Sequence, residues 1–174
     1  MTFIVRQKRS RTIIPLILAL LMCAQAVVCA QPAPSIALQV TGDVSNHLDL
    51  SIPDVATFHR QTISVTDDKG TQAKYEGAAV AEILEKAGAP LGKALKGPNL
   101  AVCLVARAPD GYHVLFSLAE FDPAFSDRVI LLADHRDGKP LDNREGPLRI
   151  IVPRDKRHAR WIRGVTTLEV LRVH

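Results

Sequence analysis

The chain has 174 residues, with 22 Lys and Arg against 18 Asp and Glu. Residues 1–30 hold four of the Lys and Arg and no acidic residue, so the rest of the chain carries 18 charges of each sign. This balance excludes a globally basic protein of the nucleic-acid-binding kind, and we expect no nucleic acid as a partner. The 144 residues from 31 to 174 are the usual size of one domain with one core.

The first 30 residues have the layout of a Sec-type signal peptide. A positively charged start precedes an apolar stretch from Ile13 to Val28, and Val28-Cys29-Ala30 offers small residues before a cleavage point. The apolar stretch is long enough that an uncleaved N-terminal anchor is the alternative. We therefore predict a periplasmic protein with a signal peptide over 1–30, a linker over 31–35 and one domain over 36–174.

Most of the predicted elements after residue 35 are strands. Alternating or continuous apolar residues bounded by turn residues predict strands over 36–42, 61–66, 71–75, 99–108, 112–117, 128–135, 148–153 and 166–173. Two pairs form hairpins, the first around the turn DDKG and the second around PDG. The predicted class is α+β, rich in β.

Helices are predicted at three places. Ser51, followed by a proline in the first turn, is a typical helix cap. Ala79, Ile83 and Ala87 recur at helical spacing, which predicts a helix over 77–88 that ends at a glycine. Ser117 and Glu120 have the spacing of a capping box, which predicts one short helical turn.

Four segments follow one another in a distinctive order: YEGAAVAEILEKAGAP, ARAPDGYHVLFSLAEF, LLADHRDGKPLDNREGPLRIIVP and WIRGVTTLEV. Together they resemble the molybdopterin-binding domain of the sulfite oxidase family, over about residues 36 to 173. The resemblance implies a compact β-rich α+β fold with mixed sheets and a few short helices. Members of this family usually hold a pterin-linked molybdenum and transfer an oxygen atom or reduce a substrate.

One feature of that family is missing from this sequence. In the enzymes a cysteine thiolate ligates molybdenum shortly before an aromatic-x-Gly motif, which here is Tyr75-Glu76-Gly77. The corresponding place, around Val65 and Thr66, holds no cysteine, and Cys103 lies in a later strand. Neither valine nor threonine supplies the soft, anionic sulfur that stabilises oxidised molybdenum. We therefore expect a pterin or molybdopterin-like ligand without molybdenum.

Residues 146–165, GPLRIIVPRDKRHARWIRGV, combine the densest positive charge with the single tryptophan. Arginine offers a planar fork of donors for a phosphate or for a pterin edge, and aromatic faces stack on flat rings. By the resemblance, Arg160 or Arg163 lies near the family's basic pterin contact, and the loop from His135 to Gly138 lies near another. We predict a ligand site formed by Tyr112, His135, Asn143, Arg149, His158, Arg160, Trp161 and Arg163.

Simpler interpretations of these residues stand beside the ligand site. A basic loop on a neutral domain is often a solvated face, and Trp161 is equally suited to filling the core. His135 and Asp137 are too few to form a metal site. Cys103 has the surroundings of a small buried residue.

The predicted function is that of a non-catalytic periplasmic protein that binds a pterin or a related flat heterocycle and signals to a membrane receptor. One alternative is a molybdopterin-dependent oxidoreductase with an atypical metal ligand. Another is an interaction module whose basic edge docks on an acidic partner or an anionic membrane. The sequence has neither the Gly-x-Ser-x-Gly of a hydrolase elbow nor a glycine-rich phosphate loop.

Overall fold

Ten strands form two sheets in the part of the chain that the computed structural model describes, residues 35–66 and 70–173. The predicted signal peptide and residues 31–34 of the predicted linker lie outside the described residues. The strands are β1 (Leu38–Gly42), β2 (Leu48–Leu50), β3 (Arg60–Thr66), β4 (Gln72–Ala79), β5 (Val102–Arg107), β6 (His113–Ser117), β7 (Leu131–Arg136), β8 (Lys139–Pro140), β9 (Arg149–Ile151) and β10 (Thr167–Arg172).

Helical structure in the described residues is short. The α-helices are α1 (Ile52–Ala56) and α2 (Val80–Ala87), and single 3₁₀ turns cover Gly92–Ala94, Gly97–Ala101, Leu118–Glu120 and His158–Arg160. Within the two described ranges, no helix has the length and apolar character needed to cross a membrane.

The first sheet has the strand order β2-β1-β10-β5-β6, and the second has β3-β4-β7-β8 with β9 also paired to β7. β1 runs parallel to β10, whereas the other strand pairs are antiparallel, so the first sheet is mixed. Both predicted hairpins are confirmed, as β3 with β4 and β5 with β6. Residues 67–69 of the DDKG turn lie outside the described part. The β-rich α+β class with mixed sheets is confirmed.

One buried cluster joins the two sheets. Leu104 and Phe116 of the first sheet and Tyr75, Leu131 and Ile150 of the second belong to it, and all five are fully buried. β5 is buried along nearly its whole length, as its continuous apolar sequence predicts. Burial of this apolar surface is the main favourable contribution to folding.

The predicted local caps are confirmed. Ser51 caps α1 in a reciprocal capping box with Asp54, and Ser117 does the same with Glu120 at the next predicted turn. α2 ends at Gly88, whose φ of 77° lies in the left-handed region that favours glycine.

The predicted start of the second helix is wrong by three residues. Residues 77–79 continue β4 and pair with β7, so α2 begins only at Val80. Gly77 permits this close approach, because a Cβ built there would lie 2.0 Å from the carbonyl oxygen of Leu132. At residues 77–79 the pairing of β4 with β7 therefore prevails over the helical spacing of Ala79, Ile83 and Ala87.

A β-bulge interrupts the pairing of β4 with β7. The register passes from Glu76 opposite His135 to Gly77 opposite Ala133, which leaves Asp134 without a partner on β4. Asp134 and His135 are sequence neighbours, yet Nδ1 of His135 lies 2.7 Å from the Asp134 carboxylate. The bulge thus brings together two side chains that a regular strand would place on opposite faces.

We expect Gly77→Ala to destabilise the protein by at least about 3 kcal/mol, because the added methyl group forces β4 and β7 apart in the core. Gly111→Ala is the control, since nothing lies within 4 Å of a Cβ there and only the positive φ of 86° opposes the change. Its cost should be about 1–2 kcal/mol. Chemical denaturation measures both, and equal losses for the two variants would contradict the steric argument.

Candidate functional site

Three adjoining cavities share His158 and Trp161 as lining residues, and we call them together the cleft. The first cavity, of about 750 Å³, lies mainly against residues 136–145. The second, of about 890 Å³, lies between the end of β3 and residues 153–158. The third, of about 270 Å³, lies between the β5–β6 turn and residues 158–163. These volumes suit a small organic ligand.

Trp161 forms the floor of the cleft and is only 4% exposed. Its indole N–H donates to the carbonyl of Val152 at 2.8 Å, and Tyr75 packs against it edge to face. The His158 ring stacks on Trp161 with 3.7 Å between ring centroids and 20° between planes. The sequence analysis expected Trp161 to meet a ligand directly, whereas in the structure the half-buried His158 covers one of its faces.

Arg149 is a buried cation at the edge of this floor, with 3% exposure. Its Nη1 donates to the Tyr75 hydroxyl at 3.1 Å and to Glu145 Oε1 at 2.8 Å, and its guanidinium lies over the Trp161 ring. Its Nε has no hydrogen-bond partner among the described residues. A buried donor without an acceptor is costly, so this atom marks a place where a ligand or water is expected to contribute an acceptor.

The loop before β9 holds Glu145 in place. The Asp142 carboxylate accepts the backbone N–H groups of Arg144 and Glu145, which lower the pKa of Asp142 and form a tight turn. The Glu145 side chain then accepts from Arg149 and, at 3.1 Å, from Arg136. One carboxylate thereby orients two of the arginines that line the first cavity.

Five of the eight predicted site residues line the third cavity: Tyr112, Arg149, His158, Trp161 and Arg163. Tyr112 is half exposed, and its hydroxyl donates to the carbonyl of Ala159 at 2.6 Å. An isolated β-bridge joins Arg163 to Arg149. The structure therefore places the β5–β6 turn, β9 and the basic segment, residues 154–163, around one cavity, as predicted from the sequence.

Arg160 is directed away from the cleft by acidic partners. Its guanidinium donates to Asp155 and to Glu120 at 2.9–3.2 Å and lies over the Phe116 ring. The hydrogen bonds that Arg160 donates to Asp155 and then to Glu120 raise the pKa of Arg160. Arg160 lines none of the three cavities, so the structure gives it a structural contact in place of the predicted ligand contact.

His135 and Asn143 also lie outside the lining of the cleft. His135 contacts Asp134, which receives both terminal nitrogens of Arg60 at 2.6–2.7 Å. Burial by itself would raise the pKa of Asp134, but the hydrogen bonds from Arg60 and His135 hold it below its usual value. Asn143 is exposed on the loop between β8 and β9.

Sequence reasoning missed Arg136 and Glu145. Both flank motifs that were recognised, since Arg136 precedes DGKPL and Glu145 precedes GPLR. The signal that points to Glu145 is the requirement for an acidic partner once Arg149 is placed in a buried strand.

Val65 and Thr66, at the place where the resemblance puts a molybdenum-ligating cysteine, line the second cavity with His158 and Trp161. Cys103 lies in β5 of the other sheet, where burial raises the pKa of its thiol. Among the described residues, no group of three or more His, Cys, Asp or Glu side chains is arranged to hold a metal ion. The donors lining the cleft thus suit a polar heterocycle with negative charge, and they lack a thiolate for molybdenum.

The mixed first sheet, the antiparallel second sheet and the arginine-lined cleft fit a domain of the sulfite oxidase type. The sequence profile of the family described as "Oxidoreductase molybdopterin binding domain" matches residues 26–173. The chain therefore belongs to this molybdopterin-binding family, and the resemblance seen in the sequence is confirmed. Membership indicates a pterin-type cofactor as the class of ligand for the cleft.

A solved structure supports the same fold. The sulfane dehydrogenase SoxCD from Paracoccus pantotrophus is similar to this chain with a TM-score of 0.60 and 18% sequence identity. The match covers 76% of this chain and 37% of that one, so this chain spans well under half of the length of that protein. A comparison with curated proteins found no match.

We expect Arg60→Gln to lower the free energy of unfolding by about 2 kcal/mol at neutral pH, because it leaves the buried Asp134 carboxylate with His135 alone. The pKa of Asp134 is lower in the folded state than its unfolded value of about 3.9, so the stabilisation by the pair is complete above about pH 4 and is lost gradually as the pH falls through the lowered folded pKa. The difference between wild type and variant should therefore shrink as the pH falls.

Urea denaturation at pH 7 and pH 3.5 measures this difference. Arg107→Gln is the matched control, because Arg107 pairs with Glu169 on the surface. Its expected cost is under about 1 kcal/mol at both pH values. A loss for Arg60→Gln that is the same at both pH values would contradict the role given to Asp134.

Proposed function

We propose that the protein is a non-catalytic binding protein for a pterin or a related flat heterocycle that carries a negatively charged tail. The observation that carries this proposal is the buried guanidinium of Arg149, whose Nε has no acceptor among the described residues, at the edge of a stacked His158–Trp161 pair. Family membership supports a pterin-type ligand for the same cleft.

The ring of the ligand would lie against His158. This side chain lines all three cavities, and Trp161 fixes its plane from below. A third flat ring extends such a stack at little entropic cost, because the two protein rings are already ordered. Arg149 and Arg163 at the rim then supply donors for the polar edges of the ring.

The tail of the ligand would lie in the second cavity. Arg154, Lys156 and Arg157 line this cavity and make no ion pair with a described residue. Asp155, the acid among them, is held by Arg128 and Arg160. No described side chain therefore neutralises these three cations, which favours a phosphate or carboxylate tail.

The proposed protein works without molybdenum. Val65 and Thr66 at the side of the second cavity offer an aliphatic group and a neutral hydroxyl, and neither replaces a thiolate. We further propose that the protein acts in the periplasm, as the predicted signal peptide implies, and that a membrane receptor responds to the liganded form.

Fluorescence titration with tetrahydropterin and its oxidised form tests the ligand. We expect saturable binding that Arg163→Gln and His158→Ala each weaken by about 10-fold or more, since each removes a contact worth about 1.5 kcal/mol. Arg107→Gln is the control, because Arg107 pairs with Glu169 on the surface and lines none of the three cavities. Its affinity should stay within about 3-fold of wild type.

No saturable binding, or an effect of Arg107→Gln as large as that of Arg163→Gln, would overturn the proposed site. Thermal denaturation of each variant, monitored by circular dichroism, separates loss of binding from loss of folding.

Elemental analysis of protein purified from its native periplasm tests the absence of molybdenum. We expect far less than one molybdenum atom per chain, because the cleft offers no thiolate to anchor it. One molybdenum atom per chain, with turnover of an oxygen-atom donor or acceptor, would establish the oxidoreductase alternative instead.

A further inference from the structure

One carboxylate oxygen of Glu145 accepts from two arginines, and the other accepts from no donor among the described residues. Oε1 accepts from Arg149 Nη1 at 2.8 Å and from Arg136 Nη1 at 3.1 Å. No described residue donates to Oε2. The side chain is 17% exposed and lines the first cavity of the cleft.

The backbone around this carboxylate is fixed on both sides. The Glu145 N–H donates to the Asp142 carboxylate at 3.0 Å, and the Glu145 carbonyl accepts from Gly164 at 3.2 Å. With the two arginines on Oε1, the position of Oε2 is set before any ligand arrives. A preorganised acceptor of this kind contributes selectivity without an ordering cost at binding.

We infer that Glu145 selects the ligand by accepting hydrogen bonds from a cyclic amidine edge, the paired N–H groups of a 2-amino-4-oxopyrimidine ring. This inference rests on the proposed function and names the chemical class that the cleft prefers. The 2-amino group and the neighbouring ring N–H point the same way, so both donors meet one carboxylate. A 2-oxo ring keeps the ring N–H but sets an acceptor beside it, so the second donor is lost and two oxygens face each other.

Carboxylates that can accept from a ligand lie mainly in the first cavity. Asp137, Asp142 and Glu145 line it, together with the basic side chains of Arg136, Lys139, Arg144, Arg149 and Arg163. The second cavity is lined by Arg154, Lys156 and Arg157 and by Asp155, which is paired with Arg128 and Arg160. His158 lines both cavities, so a ring at His158 can direct its N–H donors to Glu145 and an anionic tail to the second cavity.

Titration of the full protein with pterin and with lumazine tests the inference. Lumazine has the same bicyclic ring with an oxo group in place of the 2-amino group. We expect wild type to bind pterin about 10- to 100-fold more tightly than lumazine, the range for a hydrogen bond to a charged acceptor. Glu145→Gln should reduce this preference to about 3-fold or less by weakening pterin binding.

Glu120→Gln is the matched control, because Glu120 also accepts from two arginines but lies outside the lining of the cleft. It should keep the wild-type preference for pterin. Equal binding of pterin and lumazine by wild type would overturn the role of Glu145 and leave the proposed function standing, whereas no binding of either compound would overturn both. If Glu145→Gln does not fold, the wild-type preference and its loss with 2-dimethylaminopterin, which lacks the exocyclic N–H donors, still decide the question.

Discussion

The buried guanidinium of Arg149 is the interaction on which the cleft depends. Removing this charge from water costs several kcal/mol unless partners surround it. Those partners come from separate parts of the chain: Tyr75 from β4, Glu145 from the loop before β9, and Trp161 from the basic segment. Satisfying one cation therefore ties three segments together, and the cleft forms where they meet.

The acidic residues decide which cations of the basic segment remain available. Asp155 and Glu120 bind Arg160 on the far side of the segment, with Arg128 completing the group. Because Arg128 and Arg160 compensate the charge of Asp155, this acid does not cancel the positive charge of Arg154, Lys156 and Arg157 at the second cavity. The charge of the second cavity therefore depends on these ion pairs as well as on the number of Lys and Arg residues that line it.

Local features of the structure could be predicted from the sequence because their causes are local. The capping boxes at Ser51 and Ser117 and the helix stop at Gly88 each depend on residues within one turn. The start of α2 and the bulge at Asp134 depend on β7, which is distant in sequence. The pairing of β1 with β10 joins the two ends of the domain and has no local signal either.

The same distinction applies to the candidate site. Arg149, Trp161 and Tyr112 were predicted to lie together, because the motifs that carry them resemble one family and their residue types suit a flat anionic ligand. The contacts of Arg160 could not be predicted from the sequence, because the position of its guanidinium depends on Glu120 in a distant turn. Glu145 escaped notice because a single acid within a polar loop has no pattern of its own.

Val65 lies where a change of residue type costs the sheet little. β3 is the edge strand of its sheet and alternates between exposed and half-buried residues, with its pairing to β4 made by the backbone. Val65 packs against the core from the edge, so the residue type at the cavity wall contributes little to the sheet itself. The floor of His158 and Trp161 and the Arg149 cluster involve no contact that a thiolate would have to supply. The residue type at position 65 can therefore vary without disturbing this floor, so the ring binding that we propose does not require a thiolate at the cavity wall.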